Sequence, residues 1–397
     1  MTPFLLAHFT VTTCLGRGLA AHRAALESAA SGLRHCDFET VRLDPWIGEV
    51  DGVDDVRLPL PLARHDCRNN RLALLGLQTD AFEDAVRAAI GKVGKRRFGV
   101  ILGTSTSGIL QTELAYRRRD PVTGTLPDDF IYPTTHNTYS VAGFVRDHLG
   151  LEGPAVVVST ACSSSAKVFA AAARMIECGF IDAALVGGVD SLCLTTLYGF
   201  SSLELTSPDP CRPYDANRCG ISVGEGAAYA LLEKPSGSLD ADAILLLGAG
   251  ESSDAHHMSS PHPEGLGARL AMARALADAG LTASDIDYIN LHGTATPSND
   301  AAEGKAVAAL FGARVPTSST KGATGHTLGA AGAVEAAISA LALRHGFLPG
   351  GANTQTPDPA IAIDYLLATR NGGVRRALSN SFGFGGSNCS LVFGRAQ

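Results

Sequence analysis

Short apolar runs alternate along the chain with longer alanine-rich stretches of helical period. FGVILG (98–103), PAVVVS (154–159), AALVGG (183–188) and AAYALLE (227–233) are nearly continuous in apolar residues, as strands covered on both faces are. The pattern resumes with AILLLGAG, IDYINLHG and NCSLVFG, and the opening MTPFLLAHFTVTTCLGRG reads as a first strand and turn. Helical periodicity predicts helices over 72–90, 163–178, 264–279, 300–311 and 329–345; the last four are rich in alanine, which suits helices packed between layers. Only KPSGSLDAD (234–242) reads as a linker, so we divide the chain into halves 1–238 and 239–397. No sequence repeat is visible. The alternation implies a layered α/β architecture, but periodicity does not give the strand order.

Composition narrows this further. The 397 residues carry a formal charge of −7, which argues against nucleic acid or an anionic membrane as a partner. No apolar run reaches the roughly 18 residues of a membrane helix, and the N-terminus lacks a basic leader, so a cytoplasmic protein is expected. The nine cysteines are odd in number and show no CxxC or zinc spacing, which favours free thiols over a disulfide frame.

Four stretches carry candidate chemistry. In VVVSTACSSSAKVFAAAARMIE, Cys162 falls between an apolar strand and a small-residue helix. A thiol there would meet free main-chain N–H groups and the positive end of the helix dipole, which favour thiolate. The same N–H groups can hold a developing oxyanion. An inert buried cysteine is the commoner alternative. NLHGTATPSND places His292 at a strand end, and STKGATGHTLGAAG places His326 before another helix, with Lys321 five residues upstream. LSNSFGFGGSNCSLVF (378–393) sets glycines between aromatic and polar residues, where main chain can approach a ligand. GATGHTLGAAG lacks the GK[ST] ending of a phosphate loop, and no GxGxxG follows a strand.

Together these stretches resemble the elongating β-ketoacyl-acyl-carrier-protein synthases, condensing enzymes of the thiolase fold. The matching segments are STACSSSA, HGTATPSND, STKGATGH and NSFGFGGSN, with CRPYDANRCGISVGEGAA and SSDAHHMSSP in support. The resemblance implies two similar α/β halves in five layers, α-β-α-β-α. It also implies that Cys162 takes an acyl chain, that His292 and His326 support decarboxylation of a malonyl unit beside Lys321, and that Glu303 is a buried acid of the network. Phe384 would gate the acyl pocket and add its N–H to that of Cys162 in an oxyanion hole. Thr294, Thr296, Ser259 and Ser260 would bind the pantetheine arm, and Thr106 and Phe200 would line the acyl channel. Asn290, Glu335, Ser379 and Asn380 match a structural monovalent-cation site, and no catalytic metal is implied. Nor is a cofactor, since phosphopantetheine arrives on the substrates. Acyl carrier protein would be the partner of a homodimer, with pairing to a related subunit as the alternative.

Two histidines beside the cysteine point to elongation, because initiating relatives pair His with Asn and degradative thiolases use a second cysteine. A non-catalytic chain-length-factor-like partner is a rival reading, but such chains lose the nucleophile. A cysteine thioester hydrolase is another, and leaves the second histidine and Lys321 unexplained. His256, His257 and His262 lack the companions of a recognised metal spacing. Because an acidic carrier must meet a local basic patch, Arg68 and Arg71 are candidate docking residues, with Arg117, Arg118 and Arg119 as a weaker run. The chain departs from the family at Cys219 and Ile221, where aspartate and phenylalanine are usual, and over 110–136.

Overall fold

A computed structural model describes residues 1–396. Five strands build the N-terminal sheet: β1 (Phe4–Thr13), β2 (Phe98–Gly103), β3 (Ala155–Val158), β4 (Ala183–Asp190) and β5 (Gly226–Glu233). Their spatial order is β3-β2-β4-β5-β1, parallel across the first three and antiparallel thereafter. The second half supplies β6 (Ile244–Ser253), β7 (Tyr288–Asn290), β8 (Pro316–Ser318), β9 (Arg376–Gly383) and β10 (Ser387–Arg395). Their order, β8-β7-β9-β10-β6, repeats the first strand for strand, with the same directions. The duplication that no sequence repeat discloses is therefore plain in the topology. β1 and β6 also pair antiparallel over three residues, Phe4 opposite Leu246, which joins the two sheets along one edge.

The helices complete five layers. α1 (Arg68–Leu77), α2 (Phe82–Val93) and α3 (Ser140–Leu149) cover the outer face of the first sheet, while α5 (Leu266–Ala279) and α6 (Pro297–Phe311) cover that of the second. Between the sheets lie α4 (Ser164–Glu177) and α7 (Ala331–His345), sharing one buried cluster with residues of both sheets. Small residues let these two helices cross closely. A Cβ on Gly332 would sit 2.5 Å from the Ala166 nitrogen, so a larger residue there would force them apart.

The helix expected over 72–90 is two helices. Asp80 and Ala81, both at positive φ, break it. The break is stabilised from outside, because the Asp80 carboxylate accepts the Thr10 hydroxyl at 2.8 Å and the Leu19 N–H at 3.0 Å.

Candidate active site

The central helices converge on one point. β3 leads to α4 through a tight turn in which Ala161 adopts φ +53°, a costly conformation for a residue with a side chain. The turn is held by its neighbours: the Thr160 N–H donates to Ser164 Oγ at 2.9 Å, and the Ser164 N–H donates to the Ala161 carbonyl at 3.1 Å. Cys162 is thereby presented just ahead of α4. His326 stands in the matching place ahead of α7, and its Nε2 lies 3.0 Å from the Cys162 sulfur. The His292 ring packs edge-on to that of His326, with centroids 5.4 Å apart. The sulfur and one nitrogen of each ring lie within 4.8 Å of one another.

Electrostatics give the two imidazoles different jobs. The Lys321 ammonium donates to the His292 carbonyl at 2.5 Å, pairs with Glu335, and stands 3.3 Å from His292 Nδ1. An ammonium can only donate, so Nδ1 is the acceptor and His292 Nε2 keeps its proton. Burial, then Lys321, pushes both histidines well below their ordinary range, so both are neutral at pH 7. Among the described residues, the buried Nδ1 of His326 has no hydrogen-bond partner, which leaves that ring free to adopt either tautomer.

Cys162 departs from expectation. Burial pushes its thiol up to about 11, against the lowering effects of Lys321 and the Phe384 N–H. Desolvation outweighs both, so the group is a thiol at pH 7, and its proton has His326 Nε2 as a ready acceptor.

Glu303 holds the His292 loop. One carboxylate oxygen accepts the His292 N–H at 2.8 Å and the Asn380 amide at 3.0 Å, and the other accepts the Gly293 N–H at 2.8 Å and the Tyr214 hydroxyl at 3.0 Å. Cys162, His292, His326, Phe384 and Phe200 line one cleft with Ser259, Ser260, Thr294 and Thr296. The Phe200 and Phe384 rings meet edge to face at 5.9 Å. Of the four cation-site candidates, Asn290 and Glu335 each keep one buried side-chain oxygen without a partner among the described residues, which suits a hard cation's oxygen ligands. The Asn380 side chain is occupied by Glu303 and Ser390.

Models for the β-ketoacyl synthase N-terminal and C-terminal domains match residues 67–237 and 244–355. The chain belongs to the β-ketoacyl synthase family. It is 32% identical to a 3-oxoacyl-[acyl-carrier-protein] synthase 2 of Vibrio cholerae, over 96% of both chains. It is 40% identical to a synthase 2 of Rhizobium meliloti, over 75% of this chain and 74% of that one. Among solved structures, a ketosynthase of Xenorhabdus doucetiae, determined with its chain length factor, superposes with a TM-score of 0.89 at 37% identity, covering 100% of this chain and 98% of that one. The protein is thus an acyltransferase of thiolase fold that condenses an acyl group with malonyl-acyl-carrier-protein.

Two expectations about this β-ketoacyl synthase fail. Arg68 is not a docking residue: it is 3% exposed, stacked over Phe38 and bonded to Glu225, Glu49 and Asp54. Arg71, by contrast, stays partly exposed at the surface, where it forms a two-pronged pair with Asp66, both bonds at 2.6 Å. Thr106 does not line the cleft; its hydroxyl and N–H both donate to Asp190, at 2.9 Å.

Asp190 is the residue that the sequence reading missed. Fully buried at the end of β4, it gathers donors from Thr104, Ser105 and Thr106 and from the Gly329 N–H. It thereby ties the loop after β2 to the turn that leads from His326 into α7. An acidic residue closing an apolar strand was the available signal.

Among the described residues, no helix is long and apolar enough to cross a membrane.

Proposed function

We propose that Cys162, His326 and His292 divide the condensation between them. The observation that carries this is the 3.0 Å contact from a buried thiol to a neutral imidazole, with a second neutral imidazole of fixed tautomer beside it. In acyl transfer, Cys162 sulfur attacks the carrier thioester as its proton passes to His326 Nε2. That proton leaves on the departing pantetheine thiol, and the acyl chain remains on Cys162. Malonyl thioester then enters and loses carbon dioxide. The electron pair of the broken C–C bond becomes an enolate whose oxygen receives hydrogen bonds from His292 Nε2 and, in its other tautomer, His326 Nε2. The enolate carbon attacks the acyl-Cys162 carbonyl, whose oxyanion lies between the N–H groups of Cys162 and Phe384. Collapse expels the Cys162 thiolate, which regains a proton from water.

The substrates bring their own pantetheine, and the reaction needs no further cofactor. A monovalent cation held by Asn290 and Glu335 would brace the strand ends behind Lys321. An acyl carrier protein delivers both substrates, and a second thiolase-fold chain completes the assembly. The ketosynthase of Xenorhabdus doucetiae, solved with its chain length factor, supports a related subunit in that place.

The test is to separate the half-reactions. Cys162→Ala should give no acyl-enzyme by mass spectrometry. His292→Ala should still acylate Cys162 but lose carbon dioxide release by roughly 10²–10⁴-fold. Acyl transfer at the wild-type rate by Cys162→Ala would overturn the mechanism.

A further inference from the structure

The lining of the cleft is mixed. Ser259, Ser260, Thr294 and Thr296 give its lining polar groups, while Phe200, Leu205, Ile221, Phe382 and Phe384 give it apolar ones. Ile221 is 3% exposed and belongs to two environments at once. It lines the cleft, and it also packs in a separate buried cluster with Leu110, Leu192, Leu197, Val223 and Leu328. Phe200 also lines the cleft and packs against that cluster, but only partly buried, so the Ile221 side chain is the buried part of the partition between the space at Cys162 and a closed apolar interior.

That partition is fixed relative to the nucleophile. The Ile221 N–H donates to the Leu205 carbonyl at 2.7 Å, and its carbonyl accepts the Ser207 N–H at 2.9 Å. In the residues that follow, the His326 N–H donates to the Ser222 carbonyl at 2.8 Å and the Gly224 N–H to the His326 carbonyl at 2.9 Å. The segment carrying Ile221 is thus bonded to the main chain of the histidine that meets Cys162. A β-branched side chain adds stiffness of its own at χ1.

We propose that Ile221 is the stop of the acyl pocket and sets the longest straight acyl chain that Cys162 accepts. This rests on Cys162 being the acyl carrier. A chain attached there and laid along Phe200 and Leu205 ends against Ile221, and a longer one must displace packed side chains. Each methylene that gains or loses apolar room changes transition-state binding by about fourfold.

The experiment measures kcat/KM for acylation of Cys162 by a homologous series of straight-chain acyl-pantetheine thioesters, with mass spectrometry locating the acyl group. Ile221→Ala should raise the ratio of the first rejected chain to the best accepted chain by about tenfold, and Ile221→Phe should move the cutoff to shorter chains. Ile221→Val removes one methyl group and keeps the fold, so it should shift the ratio in the direction of alanine by about threefold. Lost packing alone would lower all chain lengths together and leave the ratios unmoved. Unchanged ratios in the folded variants overturn the role of Ile221 alone. Absence of acyl-Cys162 in the wild type overturns the reading beneath it as well.

Discussion

The two halves share a strand order and differ in what their loops can do. After β2 and after β7 the chain turns around a buried carboxylate, Asp190 in the first half and Glu303 in the second. Around Asp190, the loop contributes the hydroxyls of Thr104, Ser105 and Thr106 as well as two N–H groups. Around Glu303, the loop contributes only the N–H groups of His292 and Gly293. The first loop has turned its side chains inward and has none left for the cleft. The second is held by main chain alone, which frees the His292 ring to face Cys162. What separates a structural loop from a chemical one, on the same frame, is whether side chain or main chain satisfies the buried charge.

A third buried carboxylate tests the idea most severely. Glu225 is satisfied partly by the N–H groups of Val50 and Leu192 and partly by the charged Arg68. Arg68→Ala leaves that charge uncompensated and should cost about 3–5 kcal/mol of stability in a denaturant titration. Arg71→Ala removes a half-exposed pair and should cost at most about 1 kcal/mol. A small loss for Arg68→Ala, joined to a raised KM for carrier-bound substrate, would restore the docking reading.

Neutral replacements of the two loop carboxylates should cost about 1–3 kcal/mol each, because an amide turns a donor toward donors. They should differ in kinetics. Asp190→Asn loosens the turn between His326 and α7 and should slow acylation of Cys162. Glu303→Gln loosens His292 and should slow carbon dioxide release while acylation persists. Identical effects on both half-reactions would mean that the loops are not functionally distinct.

The smallest effect concerns protonation. With the thiol held up to about 11, the reactive anion is scarce at pH 7 and grows as pH rises towards that value. Iodoacetamide labelling of Cys162 should therefore keep accelerating through pH 9 without a plateau. A plateau near neutrality would show that the helix terminus and Lys321 prevail over burial.

The chemistry was legible because it lies in contiguous stretches, each a strand end followed by small residues. STACSSSA, HGTATPSND and STKGATGH place Cys162, His292 and His326 without any knowledge of what faces what. Less could be read where distant residues decide the outcome. Arg68 looks like a surface charge, yet its partner Glu225 lies 157 positions away. The break at Asp80 depends on Thr10 and Leu19. β9 does not read as a strand, because Ser379, Asn380 and Ser381 are polar, and the bonds that make Asn380 acceptable in a core come from the distant Glu303 and from Ser390. Strand order, and with it the duplication, is set by tertiary contacts that periodicity does not encode.

The close crossing of α4 and α7 bears on how such a chain could be cut or rebuilt. The surface loop between β5 and β6 invites a nick, and few bonds would be lost there. Yet each fragment would carry one central helix whose inner flank was shaped to its counterpart, so neither would be a self-sufficient module. Severed pieces would recover their order only by finding one another, and the join between them is a seam of shared interior, not a hinge.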